Sequence, residues 1–256
     1  MTALVAEPEQ VAAIAAAIER APLVAFDLEF LAQDRLVPAL CLLQVAWTAH
    51  DPLDAAALAE GSPAVALVDP IAVDPRPIVD AIAAHPRAVA HAARQDLQLL
   101  AARFGASVRG LADTQVMAAF AGLGDQIGLA ALAGQVVGAT LGKDQQWTDW
   151  ARRPLSEAQL AYAAGDVLHL PAIYGLLAGR LGERMAWASA ESAVVVAEAE
   201  AAARVTPETA WRQVGGARGL DPAAFAALVA LAAWRQRTAA ELDRPLGQVL
   251  NDRLLL

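Results

Sequence analysis

Several kinds of residue are scarce in this chain, and each scarcity narrows its chemistry. There is one cysteine, Cys41, among 256 residues. That excludes a disulfide framework within the chain and any thiolate cage around a metal. It predicts a reduced, cytoplasmic setting. Lysine occurs once, at Lys143, and the other 18 basic residues are arginine. Net charge is −9, so the global field does not attract a polyanion. A nucleic-acid partner must be held by local arginines or by metal ions that neutralise carboxylates. The longest uninterrupted apolar run, Ala223–Trp234, has 12 residues. A membrane span needs ~18, so the run reads as a packed helix and no membrane partner is expected. The opening MTALVAEPEQ has no basic segment followed by an apolar one, and no secretory signal is expected. Charged residues are 18% against 57% hydrophobic, which argues against disorder. Alanine supplies 65 of the hydrophobic residues, so alanine alone says little about any one helix.

The order of elements predicts an α+β fold. Pro8 opens a helix with Val11, Ile14 and Ile18 on one face. LVAFDLEF (23–30), Leu40–Trp47 and VALVD (65–69) read as strands. HDPLDAAALAEGS, between the last two, reads as a loop or a small helical insertion. After Pro75 the pattern becomes helix and strand in alternation. One helix carries Ile78 and Ile82, RAVAH (87–91) is a strand, and the next helix carries Leu97, Leu100 and Phe104. Short helices follow at about 114–122 and 127–138, and 142–154 is a polar, Trp-containing loop. Ser156 with Gln159 is a capping box opening a long helix, which Pro171 kinks or divides. Three strands followed by βα units predict a mixed sheet flanked by helices. Residues 1–195 read as the main domain, 196–206 as a helical linker and 207–256 as a separate helical piece.

Polar residues of interest fall on four of these elements. Asp27 and Glu29 are two apart on the first strand, so both carboxylates take one face while Phe26, Leu28 and Phe30 take the other. An exposed strand face would explain the pair, but the strand is apolar-flanked and central, and burying two acids is costly. Asp96 falls near the start of a helix, where a carboxylate often only complements the helix dipole. His91, at the preceding strand end, reads equally as a structural residue. Tyr162 and Asp166 are four apart on one helix face among small neighbours. Taken singly, each has an ordinary structural explanation.

Together, FDLEF, HAARQDLQLL and YAAGDVLHL resemble the three motifs of the DEDDy 3′→5′ exonucleases, and most closely the ribonuclease D family. TDWARRPLSEAQLAYAAGDV extends the likeness over the approach to the third motif, and LADTQVMAAF over the segment after the second. The resemblance covers about residues 5–190. It implies a ribonuclease H-like mixed sheet. It also implies that Asp27, Glu29, Asp96 and Asp166 hold two divalent metals, Mg²⁺ or Mn²⁺, whose preference for hard oxygen ligands fits four carboxylates. Tyr162 would orient, and help deprotonate, the attacking water. The implied substrates are RNA 3′ ends, those of tRNA precursors among them. A DNA exonuclease of the same chemistry and a non-catalytic nucleic-acid-binding protein are the alternatives. The chain departs from the family in having Leu28 where Thr is frequent. It also has only about half of an HRDC-like helical module, in PETAWRQV and the segment after it.

Two regions carry further expectations. Lys143, Arg152 and Arg153 flank Trp147 and Trp150, a cationic and aromatic stretch that could grip phosphates. A solvated loop with its tryptophans anchored in the core fits the same residues. In the tail, Phe225, Leu228, Leu231 and Trp234 share a helical face. A piece of ~50 residues is near the lower limit for an independent core, so this face is expected against the main domain or a second copy of the chain. Arg235, Arg237, Arg244 and Arg253 lie beside it as possible RNA contacts.

Overall fold

The computed structural model describes residues 4–54, 61–142 and 145–256, except for the side chain of Arg218. Part of the insertion expected after the second strand (55–60) and Lys143 lie outside the described residues. Six strands form one mixed sheet. They are β1 (Leu4–Val5), β2 (Val24–Leu31), β3 (Ala39–Trp47), β4 (Ala64–Val68), β5 (Ala88–Ala90) and β6 (Leu111–Asp113), in the order β1-β4-β3-β2-β5-β6. β2, β3 and β4 run antiparallel, whereas β1 joins β4, and β5 joins β2 and β6, in parallel. β1 and β6 were not expected from the sequence. At two and three residues they are too short to show an alternation.

Helices cover both faces. On one side lie α1 (Pro8–Arg20), α2 (Arg76–Ala84) and α3 (Arg94–Phe104). Their Val11, Ile18, Ile78, Ile82, Leu97 and Leu100 pack with Val24, Phe26 and Leu28 of β2. Burying a side chain such as Phe26 completely contributes ~1.5–3 kcal/mol. On the other side lie α4 (Thr114–Phe120), α5 (Leu129–Val136), α6 (Glu157–Leu168) and α7 (Leu170–Leu181). Met117, Leu132, Ile173 and Leu177 pack there with Ala25, Ala46 and Val89. The capping box forms as expected: the Ser156 hydroxyl accepts from the Gln159 amide, and the Ser156 amide donates to Gln159 Oε1. Pro171 sits in the first turn of α7, so the long helix is divided at His169.

α8 (Met185–Ala203) runs through the boundary expected at 195 and through most of the expected linker. Its Val196 and Ala199 are buried in the first core, and Glu198 and Glu200 hold Arg94 and Ser107 of the α3 region. By length and apolarity the stretch Glu157–Ala203 could cross a membrane. Leu170, Ile173 and Leu177 within it are instead packed in the second core.

In the tail, α9 (Pro222–Leu242) and the short α10 (Leu246–Val249) overturn part of the expectation. Leu228, Val214 and Leu255 make a small core of the tail's own, and Phe225 meets Trp211 edge-on at 5.0 Å. Leu231 and Trp234 remain 40% and 44% exposed. The buried face of α9 runs instead through Leu228, Ala232, Arg235 and Ala239, which leaves Leu231 and Trp234 to one side of it. Arg235 is buried and donates to the Leu250 carbonyl and to Asp252, which removes it from the possible RNA contacts. The tail meets the main domain through polar bonds to the β2–β3 loop. The Leu36 amide and Arg35 reach Asp243, and Gln248 donates to Asp34.

Candidate active site

β2 begins between two partners and ends beside one. β5 pairs with it only at Val24 and Ala25, and then its chain turns away. Asp27 and Glu29 therefore lie on the part of β2 that β5 leaves, at the C-terminal ends of parallel strands, where ligands of α/β sheets collect. A bulge sits at this point: Glu29 pairs with Leu42 but Phe30 with Leu40, which leaves Cys41 extra in β3. Bulges of this kind re-aim side chains at a site. The result is a cleft of about 620 Å³ whose lining includes Asp27, Glu29, Asp96, Tyr162 and Asp166. Asp27 and Glu29 are half-buried in it, so the exposed-face explanation for the pair does not hold.

The turn leaving β5 brings in the third acid. Ala92 takes a left-handed backbone (φ 54°), which is uncommon for a residue with a Cβ. The Asp113 carboxylate holds it there, accepting from the amides of Ala92 and Ala93 at 2.9 Å each. Asp113 also caps α4 by accepting from the Gln115 amide. α3 starts directly after that turn, and its first-turn Asp96 is buried facing the acids of β2. Sequence reasoning missed Asp113. An Asp before a helix start is a capping signal, but its reach back across 21 residues to Ala92 is not visible in the sequence.

α6 supplies the rest. One ligand oxygen from each of Asp27, Glu29 and Asp166 lies within 4.8 Å of the others. Tyr162 lies one turn before Asp166 on α6 and feels that carboxylate's charge, and its ring lies 6.1 Å from that of buried Trp150. Gln44, fully buried on β3, donates to Asp27 at 3.5 Å.

Crowding sets the electrostatics. Burial pushes Asp27 up to about 7. Burial, with Asp27 and Asp166 adding to it, pushes Glu29 up to about 9. Burial and then Asp27 push Asp166 up to about 8, and burial followed by the charges of Asp27 and Glu29 raises Asp96 well above the carboxylate range. Without a counter-ion the cluster takes up protons near neutrality. All four donors are hard oxygens, which suits a divalent cation of the magnesium type. Tyr162 is raised too, by burial and then by Asp166 and Glu29. A phenol raised in this way holds its proton more firmly and can donate to a neighbouring oxygen.

Three of the expected substrate-binding residues are now placed. His91 lines the cleft, but its Nδ1 pairs with Thr114 Oγ1 at 2.9 Å and its Nε2 with the Ile127 carbonyl at 3.0 Å. Both ring nitrogens are used, so His91 is a wall of the cleft and not a substrate ligand. Arg153 is also withdrawn. Its Nε and one terminal nitrogen hold Asp69 at 2.7 and 2.6 Å, and the guanidinium donates further to the carbonyls of Cys41 and Trp150. A guanidinium with its donors committed this way has no fork to offer a phosphate. Arg152 is exposed. Of the two loop tryptophans, Trp150 is a 2% exposed anchor, while Trp147 lines the cleft at 90% exposure.

Comparison with known proteins agrees with this geometry. Curated proteins named Ribonuclease D from Granulibacter bethesdensis and Gluconacetobacter diazotrophicus are 34% and 36% identical, each over 99% of this chain and 61% of its own length. The crystal structure of Escherichia coli RNase D, described as an exoribonuclease involved in structured RNA processing, superposes with a TM-score of 0.86 at 30% identity. That match covers 100% of this chain and 65% of the other. The chain thus spans about three-fifths of the length of these relatives. The likeness to ribonuclease D and the ribonuclease H-like sheet with a C-terminal helical region, both expected from the sequence, are borne out. The family described as 3'-5' exonuclease matches residues 3–181, which hold all four acids and Tyr162, and the chain belongs to that family.

Proposed function

We propose that the chain is a metal-dependent 3′→5′ exoribonuclease that trims RNA 3′ ends, those of tRNA precursors included, and releases 5′-mononucleotides in a reduced cytoplasmic setting. The observation that carries this reading is the convergence of Asp27, Glu29, Asp96, Tyr162 and Asp166 on one cleft from three segments distant in the chain. Asp27, Glu29, Asp96 and Asp166 would hold two Mg²⁺ or Mn²⁺ ions. When bound, such ions supply an activated water and neutralise charge on the leaving 3′ oxygen.

The protein's own groups do the rest. Asp113 fixes the turn that presents Asp96. Gln44, the cross-strand partner of Asp27 on β3, donates to it. Tyr162, one turn before Asp166 on α6, would orient the attacking water. Exposed Arg152 would be available to a backbone phosphate.

Digestion of 5′-labelled RNA and a DNA of matched sequence, with Mg²⁺, Mn²⁺ or EDTA, tests the reading. We expect a ladder that shortens from the 3′ end, RNA preferred over DNA, and no cleavage in EDTA. Preference for DNA would make the chain a DNA exonuclease of the same chemistry. Cleavage that persists in EDTA would remove the metal role.

Two variants refine it. Tyr162→Phe keeps the ring against Trp150 and deletes the hydroxyl, so single-turnover cleavage slows by about 10–100-fold, the range for losing an orienting contact beside a metal site. An unchanged rate would make Tyr162 a packing residue. Deleting residues 207–256 removes no residue of the cleft. The chemical rate at saturating RNA is then expected to hold while Kd or the oligomeric mass shifts. A folded, RNA-saturated deletion variant that had lost its chemical rate would show that the tail completes the site.

A further inference from the structure

Trp147 is the one described tryptophan left almost wholly in solvent, at 90% exposure, and it lies on the wall of the acidic cleft with Gln146 and Leu141 beside it. Its position is built. Thr148, the next residue, is tied back to the Gln145 carbonyl through both its amide and its hydroxyl. Gln159, the capping-box residue of α6, donates to the Thr148 hydroxyl at 3.1 Å and to the Asp149 carbonyl at 3.3 Å. Trp150 then plugs the turn into the core, and Arg153 clamps it to β3 and to Asp69. A turn fastened on its C-terminal side by these bonds holds one indole out over the cleft and loses little freedom when something lands on it.

The electrostatics say what lands there. The cleft floor is four carboxylates, and of the arginines expected at its rim Arg153 is fully engaged with protein atoms. Among the described residues no arginine or lysine lines the cleft, so a neutral contact to the bases would add to whatever Arg152 and the metals contribute. An exposed indole suits that task, because every nucleobase has a face on which to stack.

We infer that Trp147 is a stacking platform for an unpaired nucleobase near the 3′ end of the RNA, so that the site favours single-stranded ends over paired ones. The inference rests on the exoribonuclease reading above and names the contact by which that site selects its substrate. A paired base is already stacked on its neighbours and cannot reach the indole without leaving them.

The test uses the full chain with Mg²⁺ and a single-stranded RNA oligonucleotide, intact or carrying one abasic residue at each of the last few 3′ positions in turn. Trp147→Ala is expected to raise KM on the intact RNA by about 5–150-fold, the range for losing one base–aromatic stack, with kcat nearly unchanged. Trp147→Phe restores most of the loss. At one abasic position the difference between wild type and Trp147→Ala disappears, since both then lack the contact. An unchanged KM in Trp147→Ala, alongside normal wild-type cleavage, overturns the inference alone. So does a KM penalty that no abasic position diminishes, or a loss confined to kcat. Wild-type protein that cleaves none of these RNAs overturns the exoribonuclease reading and the inference with it.

Discussion

Asp27→Asn is expected to lower the single-turnover cleavage rate by at least about 10³-fold, since losing a metal ligand forfeits several kcal/mol of transition-state stabilisation. The same substitution is expected to stabilise the metal-free fold above neutral pH. Asp27, Glu29 and Asp166 are held at about 7, 9 and 8, above the ~4 of an unfolded carboxylate. A carboxyl whose folded pKa is raised binds more protons in the folded state. Stability is therefore full below about pH 4 and is lost as pH rises through the folded values, with the loss complete near pH 9. In EDTA the urea midpoint falls between pH 5 and pH 9, and Mg²⁺ at pH 9 recovers it by binding only the folded site. Asp27→Asn removes one of the crowded charges, so its metal-free midpoint declines less over that interval. A variant with near-wild-type turnover at saturating Mg²⁺ would remove Asp27 from the metal site. A metal-free midpoint that rose with pH would show that the acids are not crowded.

Arg153→Ala is expected to cost about 3–5 kcal/mol of stability, the range for leaving one partner of a buried ion pair alone. The Asp69 side chain is only 6% exposed. Burial alone would raise its pKa, but Arg153 and the Ile71 amide outweigh burial and hold it below its ordinary value. Arg153→Lys recovers little, because an ammonium cannot span Asp69 and the Cys41 and Trp150 carbonyls together. Asp69→Asn is expected to cost a comparable amount, although Asp69 would never meet RNA. Urea unfolding of all three variants checks this, together with the salt dependence of RNA binding by the folded Arg153→Ala protein. An unaltered salt slope agrees with an arginine that touches no phosphate. A slope lowered by about one with stability intact would return Arg153 to the substrate.

How far each reading reached depended on the range of the interaction behind it. β2, β3 and β4, the capping box at Ser156 and the break at Pro171 were legible, because each is set by a pattern within a few residues. β1 and β6 were not, since each exists only as a pairing with a strand far along the chain. The five residues of the cleft were legible as types and spacings on their own elements, and the three motifs together pointed to the exonuclease family. Their bland alternatives fell only when the fold was seen. The alternation on β2 put Asp27 and Glu29 on one face, but the early end of β5 is what leaves that face over a cleft.

Composition and local pattern thus decided the residue inventory: a chain with one cysteine, a mixed sheet with helices, and four acids and a tyrosine on three known elements. The three-dimensional packing decided which polar groups remain available. Arg153 and His91 look as free as Arg152 in the sequence, yet their donors are taken by Asp69, Cys41, Thr114 and Ile127 from other segments. Trp147 and Trp150 look alike, yet one is an anchor and the other stands in solvent. A side chain's chemistry is written in its own residue. Its availability depends on which atoms lie within about 3 Å of it, and those atoms come from segments the chain brings together only on folding.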